Sequence, residues 1–218
     1  MAKTAKRAST SRRPRRYLRS RITRNLILDT AKKVFISEGY SKTTIAKISE
    51  MANVGYGTVY SHFKGKDDIL SRVIDNILED FYTLLDIEFA PSSVKEAKKI
   101  FYNLMFTAFT LAEQNRPILK VYRQALRLSE NMDAHWQGVK EHFYKVAKKS
   151  IIYAQDKGLA KQFDPQIGAK GYVLLVDRFF WEVVEEREPD VERLCTILTD
   201  MVFQGFFNPP EPSQEISA

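Results

Sequence analysis

The sequence contains few residues that interrupt helices or cross-link a chain. Its 218 residues include nine Gly, eight Pro and a single cysteine, Cys195. One cysteine excludes an internal disulfide, and no Cys/His cluster has the spacing of a zinc site. The scarcity of Gly and Pro, together with the lack of alternating β-branched stretches, favours long helices over hairpins. We therefore expect an all-α protein.

The chain also lacks a long uninterrupted apolar run, and no apolar segment follows its basic N-terminus. These absences argue against a transmembrane helix and a signal peptide, so we expect a cytoplasmic protein. No Gly-rich phosphate loop, HExxH motif, nucleophile elbow or credible triad is present, and the chain has only three His. We accordingly predict no enzymatic activity and no cofactor.

Basic residues are concentrated at the N-terminal end. The net charge is +7, and residues 1–24 contain ten Lys or Arg and no acid. This asymmetry predicts a polyanionic partner at that end, and DNA, RNA and anionic lipid all remain open on charge alone.

Apolar spacing predicts three short helices in the N-terminal third. The first begins near Ile22 and ends at Gly39, the second runs from Thr44 to Ala52 with Thr44 as its N-cap, and the third runs from Tyr56 to His62. The second helix is expected to turn Ile45, Ile48 and Met51 inward.

A long fourth helix opens at Lys66, with acids in its first turn and an apolar stripe of Ile69, Val73, Ile77, Phe81 and Leu84. Five further helical patterns follow at about 93–114, 117–128, 132–157, 165–187 and 190–207. The resulting division is a disordered basic arm (1–20), a helix-turn-helix domain (21–68), a helical bundle (69–208) and a flexible tail (209–218).

The two short helices after Gly39 carry a specific signature. Its first part is Gly39-Tyr40-Ser41-Lys42-Thr43-Thr44-Ile45, and its second part runs from Val54-Gly55-Tyr56-Gly57-Thr58-Val59-Tyr60 to Ile69-Leu70. This sequence pattern resembles that of the TetR family over residues 23–70. The resemblance implies an N-terminal three-helix helix-turn-helix DNA-binding domain and a C-terminal helical-bundle domain for ligand binding and dimerisation.

The resemblance also implies which residues meet DNA. Tyr56, Gly57, Thr58 and Tyr60 would face the major groove, with His62 and Lys66 near the phosphates. Packing against the fourth helix is the alternative for Tyr60 and His62. At the second helix, Thr43, Thr44 and Lys47 would lie beside a phosphate, because a helix N-terminus attracts anions.

The basic arm has two interpretations. Arg12, Arg13, Arg15 and Arg16 could enter the minor groove, where arginine is drawn to narrow A·T-rich stretches, or they could form a solubilising tail.

The C-terminal bundle is rich in aromatic residues, which suits an apolar ligand cavity but also ordinary core packing. The candidate ligand residues are Tyr102, Met105, Phe106, Phe109, Tyr122, Arg123, Trp136, Phe143, Asp177 and Trp181. The last two helices carry more apolar surface than one face hides, so a partner subunit or a thick monomeric core must cover the rest. The candidate dimer residues are Val176, Phe180, Val184, Leu198, Val202 and Phe206.

Together these features predict a repressor that a small apolar effector releases from a palindromic operator. A fatty-acyl or aromatic acid, or its CoA ester, is the preferred effector class. The alternative is a ligand-independent architectural or constitutive DNA-binding protein.

Overall fold

The chain folds into helices that divide between two compact units. The computed structural model describes residues 12–188 and 190–206, with side chains from Tyr17 onward except those of Asp80 and Phe206. Within these ranges the helices are α1 (Arg12–Lys42), α2 (Ile45–Met51), α3 (Tyr56–His62), α4 (Lys66–Leu85), α5 (Val94–Gln114), α6 (Arg116–Leu126), α7 (Glu130–Asp156), α8 (Pro165–Val184) and α9 (Val191–Phe206). The boundary between the units falls after Val73, within α4. The all-α prediction is confirmed.

Helix α1 is longer than its apolar pattern predicts. It begins at Arg12, ten residues before Ile22, so the prediction of a disordered arm is wrong for residues 12–20, and residues 1–11 lie outside the described range. Arg and Leu are strong helix formers, and Pro14 falls in the first turn, where its missing N–H costs nothing. Gly39 interrupts α1 with a non-helical φ of 76° and ψ of 169°, which agrees with the predicted helix stop, and a short helical segment follows it to Lys42.

The turn between α2 and α3 is fixed by short-range polar contacts. Thr44 caps α2 as predicted, accepting a hydrogen bond from the Lys47 amide at 3.2 Å. Asn53 takes the left-handed conformation with φ of 51°, which Asn tolerates better than most residues. The Ser49 hydroxyl donates to the Val54 carbonyl at 2.7 Å and closes the turn.

The inner face of α2 differs from the prediction at one residue. Ile45 and Ile48 are buried, whereas Met51 is 53% exposed. A seven-residue helix has only two turns, and Ser49 and Ala52 complete its buried side instead. The prediction for Met51 was therefore wrong.

The second unit is a bundle in which α8 packs against α7 and α5, α9 packs against α5, and α6 packs against α7. Its helices begin and end close to the predicted positions. Along α4, Val73 and Phe81 are buried as predicted, but Leu84, one residue before the helix ends, is 37% exposed. None of the described helices has the length and apolar character needed to cross a bilayer. The predicted flexible tail at 209–218 lies outside the described residues.

Candidate nucleic-acid interface and internal cavity

Helix α3 presents a polar and aromatic face to solvent. Tyr56 and Tyr60 are 54% and 48% exposed, Gly57 is exposed between them, and Thr58 is partly exposed. Val59 is fully buried and anchors the opposite side of the helix. An added Cβ at Gly57 would meet nothing within 4 Å, so this position leaves open space beside the helix.

The two tyrosines of α3 form a pair. Their hydroxyl oxygens lie 3.3 Å apart, and their ring centroids lie 5.0 Å apart in an edge-to-face arrangement. The hydrogen bond with Tyr56 raises the pKa of Tyr60 above its ordinary value, with smaller contributions from charge and burial. The Tyr60 phenol therefore stays protonated at neutral pH. Each of the two hydroxyl groups is a type of donor that binds phosphate oxygens.

The residues selected around α2 have different surroundings. Thr44 is exposed at the helix start, with its hydroxyl engaged as the cap. Thr43 is 1% exposed, and its hydroxyl donates to the Gly39 carbonyl at 2.7 Å. Lys47 forms an ion pair with Glu38 at 2.5 Å, which lowers the pKa of that carboxyl. Of these three residues, Thr44 is exposed, Lys47 is partly exposed and Thr43 is buried.

Lys66 is used inside the first unit. Its ammonium donates to the Tyr40 carbonyl at 3.0 Å and lies 4.2 Å from the centroid of the Tyr40 ring, and the Tyr40 hydroxyl donates to Asp67 at 2.5 Å. These contacts hold the start of α4 against the end of α1. The Lys66 ammonium thus shares its three donors with acceptors inside the first unit, and its phosphate contact stays a prediction. His62 is partly exposed, and its ring lies 6.3 Å from that of Phe63, so its side chain also packs locally.

Two exposed lysines next to the short helices escaped the sequence-based selection. Lys42 ends α1, two residues before the Thr44 cap of α2, and Lys64 lies two residues after the end of α3. Both lysines lie within the signature sequence, and this position could have identified them as candidate DNA contacts. The side chains of Arg12, Arg13, Arg15 and Arg16 lie outside the described residues.

The second unit contains a cavity of about 130 Å³ lined by residues of α4, α5, α7, α8 and α9. At 10–15 Å³ for each water, this space corresponds to roughly ten water positions. The lining is apolar apart from Lys140, Ser150 and Asp177. An apolar cavity of this kind suits a small ligand.

Four of the ten predicted ligand residues line this cavity, namely Met105, Trp136, Phe143 and Asp177. The other six are not part of the lining: Tyr102, Phe106, Phe109, Tyr122, Arg123 and Trp181. Helical register explains the difference on α5, where Phe101, Leu104, Met105, Ala108 and Leu111 form the lining stripe. Tyr102 and Phe106 stack on one another outside that stripe, and Phe106 is 40% exposed.

The remaining predicted residues form a separate cluster at α6. Arg123 binds Glu185 at 3.0 Å, donates to the Trp181 carbonyl, and lies 5.3 Å from the Trp181 ring. Tyr122 is fully buried with its hydroxyl on His135 at 2.5 Å. The charge of Arg123 is thus paired within the protein, and Arg123 stabilises the packing of α6.

The selection by residue type also missed cavity residues that a register argument would have found. They include Leu78, Phe81, Phe101, Tyr172, Val173 and Phe203. Aromatic content was the criterion for the ligand set, whereas the 3.6-residue period of each helix decides which side chains reach the interior.

Comparison with known proteins agrees with this architecture. Residues 27–73 match the family model described as "Bacterial regulatory proteins, tetR family". The chain is similar to the uncharacterized HTH-type transcriptional regulator YhgD of Bacillus subtilis, with 26% identity over 84% of this chain and 95% of the relative.

Residues 27–73 thus carry the tetR-family signature.

Solved structures share the fold of this chain. The SmeT–triclosan complex superposes with a TM-score of 0.73 at 21% identity, covering 87% of this chain and 93% of that one. SmeT itself, described as the repressor of the Stenotrophomonas maltophilia multidrug efflux pump SmeDEF, gives a TM-score of 0.69 at 22% identity, with 88% and 93% covered.

The match over residues 27–73 and the similarity to a curated HTH-type regulator over most of the chain support a DNA-binding transcriptional regulator. The matched proteins are regulators rather than enzymes, as predicted.

The last two helices expose apolar side chains. On α8, Ile167 and Leu174 are 69% and 64% exposed, and on α9, Ile197 and Met201 are 47% and 57% exposed. Contiguous exposed apolar patches are typical of interaction surfaces, so these four residues, the exposed face of α8 and α9, are candidates for contact with a partner.

This face differs from the stripe of predicted dimer residues, whose role stays a prediction. Val184 and Leu198 are buried in their own unit, and Val176, Phe180 and Val202 line the cavity. The side chain of Phe206 lies outside the described residues. The partner surface was assigned to the most apolar stripe, which is the stripe that a helix turns toward its own core.

Proposed function

We propose that this chain is a cytoplasmic, homodimeric repressor that a small apolar effector releases from a palindromic operator. The observation that supports the proposal is that the two units have different surfaces for binding. The first unit exposes α3, and the second contains an apolar cavity.

Helix α3 supplies the contacts to the major groove. Tyr56 and Tyr60 donate to phosphates, Thr58 reads a base edge or a thymine methyl, and Gly57 permits close approach of the backbone. Lys42 and Lys64 join Thr44 as the flanking phosphate contacts, because both lysines are exposed. Thr43, Lys47 and Lys66 support these elements through their internal bonds.

The exposed face of α8 and α9 supplies the dimer interface. Ile167, Leu174, Ile197 and Met201 have no apolar cover in one protomer and would be covered symmetrically in two. Two copies present two α3 helices, which fits an operator with half-sites about one DNA turn, roughly 34 Å, apart.

The cavity is the effector site. The structural relative SmeT is described in complex with triclosan, which supports a small apolar compound as the effector class here. An acid or its CoA ester, the class preferred from the sequence, receives less support, because Arg123 is engaged with Glu185 outside the cavity.

Effector binding acts on DNA binding through α4. This helix contains the last residues of the DNA-binding unit and also contributes Leu78, Phe81 and Leu85 to the cavity lining. A ligand that fits the cavity only after α4 shifts would favour a state with lower operator affinity, and the coupling must be reciprocal.

The test begins with selection of bound sites from random DNA, which yields the operator. Fluorescence anisotropy then compares Tyr56→Phe and Tyr60→Phe with Tyr144→Phe, a tyrosine of the second unit, as the control. Each α3 variant should bind the operator about three- to tenfold more weakly, the cost of one hydrogen bond, and the control should match the wild type.

A panel of apolar compounds tests release. At least one compound should both bind the protein and lower its operator affinity. Selection of a palindrome combined with no release by any bound compound would favour the constitutive DNA-binding alternative. Unselective DNA binding by the wild type, with no effect of the α3 variants, would overturn the proposal.

A further inference from the structure

The strongest polar feature of the effector cavity is a carboxylate fixed in an apolar wall. Asp177 of α8 lines the cavity, and its Oδ1 accepts a hydrogen bond from the Trp136 indole N–H at 2.8 Å. The indole is a neutral donor, so this bond leaves the carboxylate charge uncompensated. A carboxylate has about four acceptor positions, and Trp136 occupies one of them.

The nearby cations are engaged elsewhere. Arg178 follows Asp177 in sequence, but its side chain is 70% exposed and pairs with Glu182 at 2.5 Å. Arg123 pairs with Glu185. Among the described side chains, none forms an ion pair with Asp177.

Lys140 is the one basic residue in the described lining, and it lies one turn after Trp136 on α7. It makes no ion pair with Asp177. A lysine has four methylenes and can carry its ammonium group to water while its stem covers apolar surface. Asp177 has a single methylene and is held by Trp136, so its charge stays where it is. The fixed charge of the cavity is therefore negative.

The rest of the wall favours a cation as well. Phe81, Phe101, Phe143 and Tyr172 surround the space together with Trp136. Aromatic faces attract organic cations, and the attraction is stronger where water is excluded.

We propose that the effector is an amphipathic cation, with an apolar body in the aromatic space and a protonated amine on the carboxylate of Asp177. This inference rests on the proposed function, since it names the chemical class that the effector cavity selects. It replaces the acid class that residue types alone suggested.

The test uses three probes with the same body and different ends, namely n-octylamine, octanoate and 1-octanol. Isothermal titration at pH 7 should show that octylamine binds at least about tenfold more tightly than octanoate. The Asp177→Asn variant keeps an oxygen that accepts from the Trp136 indole and removes only the charge. It should lose at least about tenfold in octylamine affinity and bind octanol as the wild type does.

Two further variants refine the test. Asp156→Asn, on the exposed end of α7, removes the same charge outside the cavity and should leave all three affinities unchanged. Lys140→Met should strengthen octylamine binding, because it removes a competing positive charge. Near-UV circular dichroism of each variant verifies that the aromatic packing is intact.

The outcomes separate this inference from the proposed function. Tighter binding of octanoate that depends on Lys140, or equal binding of all three probes, would overturn the cationic class while leaving a ligand-released repressor intact. An Asp177-dependent preference for octylamine without any change in operator affinity would support the cationic site and contradict the repressor mechanism. Failure of all three probes to bind would overturn the inference.

Discussion

His135 and Asp75 are joined by a hydrogen bond of 2.9 Å between Nε2 and Oδ1, which ties α7 to α4. The other ring nitrogen of His135 lies 2.5 Å from the hydroxyl of Tyr122 on α6. Burial is the main cause that raises the pKa of Tyr122 above its ordinary value, so this phenol remains a neutral partner. Three helices of the second unit thus meet at one imidazole.

We predict that removing this tie weakens the coupling between effector and operator. Asp75→Ala should lower the free energy of unfolding by about 1–2 kcal/mol, because a partly buried imidazole nitrogen loses its partner. It should also shrink the ratio of operator affinities measured without and with effector, since α4 is less firmly held by α7. Asp75→Asn retains an acceptor oxygen and should behave close to the wild type.

Glu79→Ala is the matched control, an exposed side chain one turn further along α4. Chemical denaturation and anisotropy titrations supply the two quantities. An affinity ratio in Asp75→Ala equal to that of the wild type would show that the signal does not pass through His135.

The exposed face of α8 and α9 yields a prediction on assembly. Leu174→Glu and Met201→Glu place a charge at positions that are 64% and 57% exposed in one protomer. Each should shift the protein toward monomer in analytical ultracentrifugation and weaken operator binding, because a buried unpaired charge is costly. Ile152→Glu on α7, 40% exposed, is the control and should remain dimeric. A Leu174→Glu/Met201→Glu double variant that stays dimeric would place the interface elsewhere.

The arginines at the start of α1 give a prediction on salt dependence. If Arg15 and Arg16 bind phosphates, replacing both with Gln should reduce the slope of log K against log salt by about 0.9 for each phosphate that is no longer neutralised. Lys148→Gln/Lys149→Gln removes the same charge from α7 and should leave the slope unchanged. Equal slopes in the wild type and the arginine variant would show that these arginines do not bind phosphates and would favour the solubilising role.

The single cysteine reports on the integrity of the second unit. Cys195 is fully buried, and burial raises its pKa to about 12. At pH 8 only roughly one thiol in ten thousand would be ionised, compared with about a quarter for an ordinary cysteine with a pKa of 8.5. We therefore expect a disulfide reagent to label the native protein slowly and the denatured protein at once. Rapid labelling of the native protein would mean that α9 opens readily.

Local signals in the sequence determined most of the fold correctly. The Thr44 cap, the Asn53 turn and the limits of α3 each depend on a few adjacent residues, and such residues act alike in a short peptide and in a folded chain. The start of α1 was misjudged because an arginine-rich stretch lacks apolar periodicity, although its residues are good helix formers. Apolar patterning shows which helices are buried, and propensity decides how far they extend.

The cavity was harder to predict because it depends on tertiary register. Trp136 and Asp177 were both selected, but nothing in the sequence indicates that residues 41 positions apart form a hydrogen bond. Arg123 was selected for its charge, which its own neighbour Glu185 neutralises. The pairing of charges within the protein decides which of them remain available to a ligand, and pairing is a property of packing.

The cavity lining begins at Leu78, and the DNA-binding unit ends at Val73. The described lining residues therefore all lie outside the first unit, and substitutions in the cavity wall change no side chain of α3. A descendant of this protein could answer a new chemical signal while still addressing the same genes, or keep its signal and move to another promoter. Duplication followed by a few changes in the aromatic wall would be enough to add a sensor to a genome.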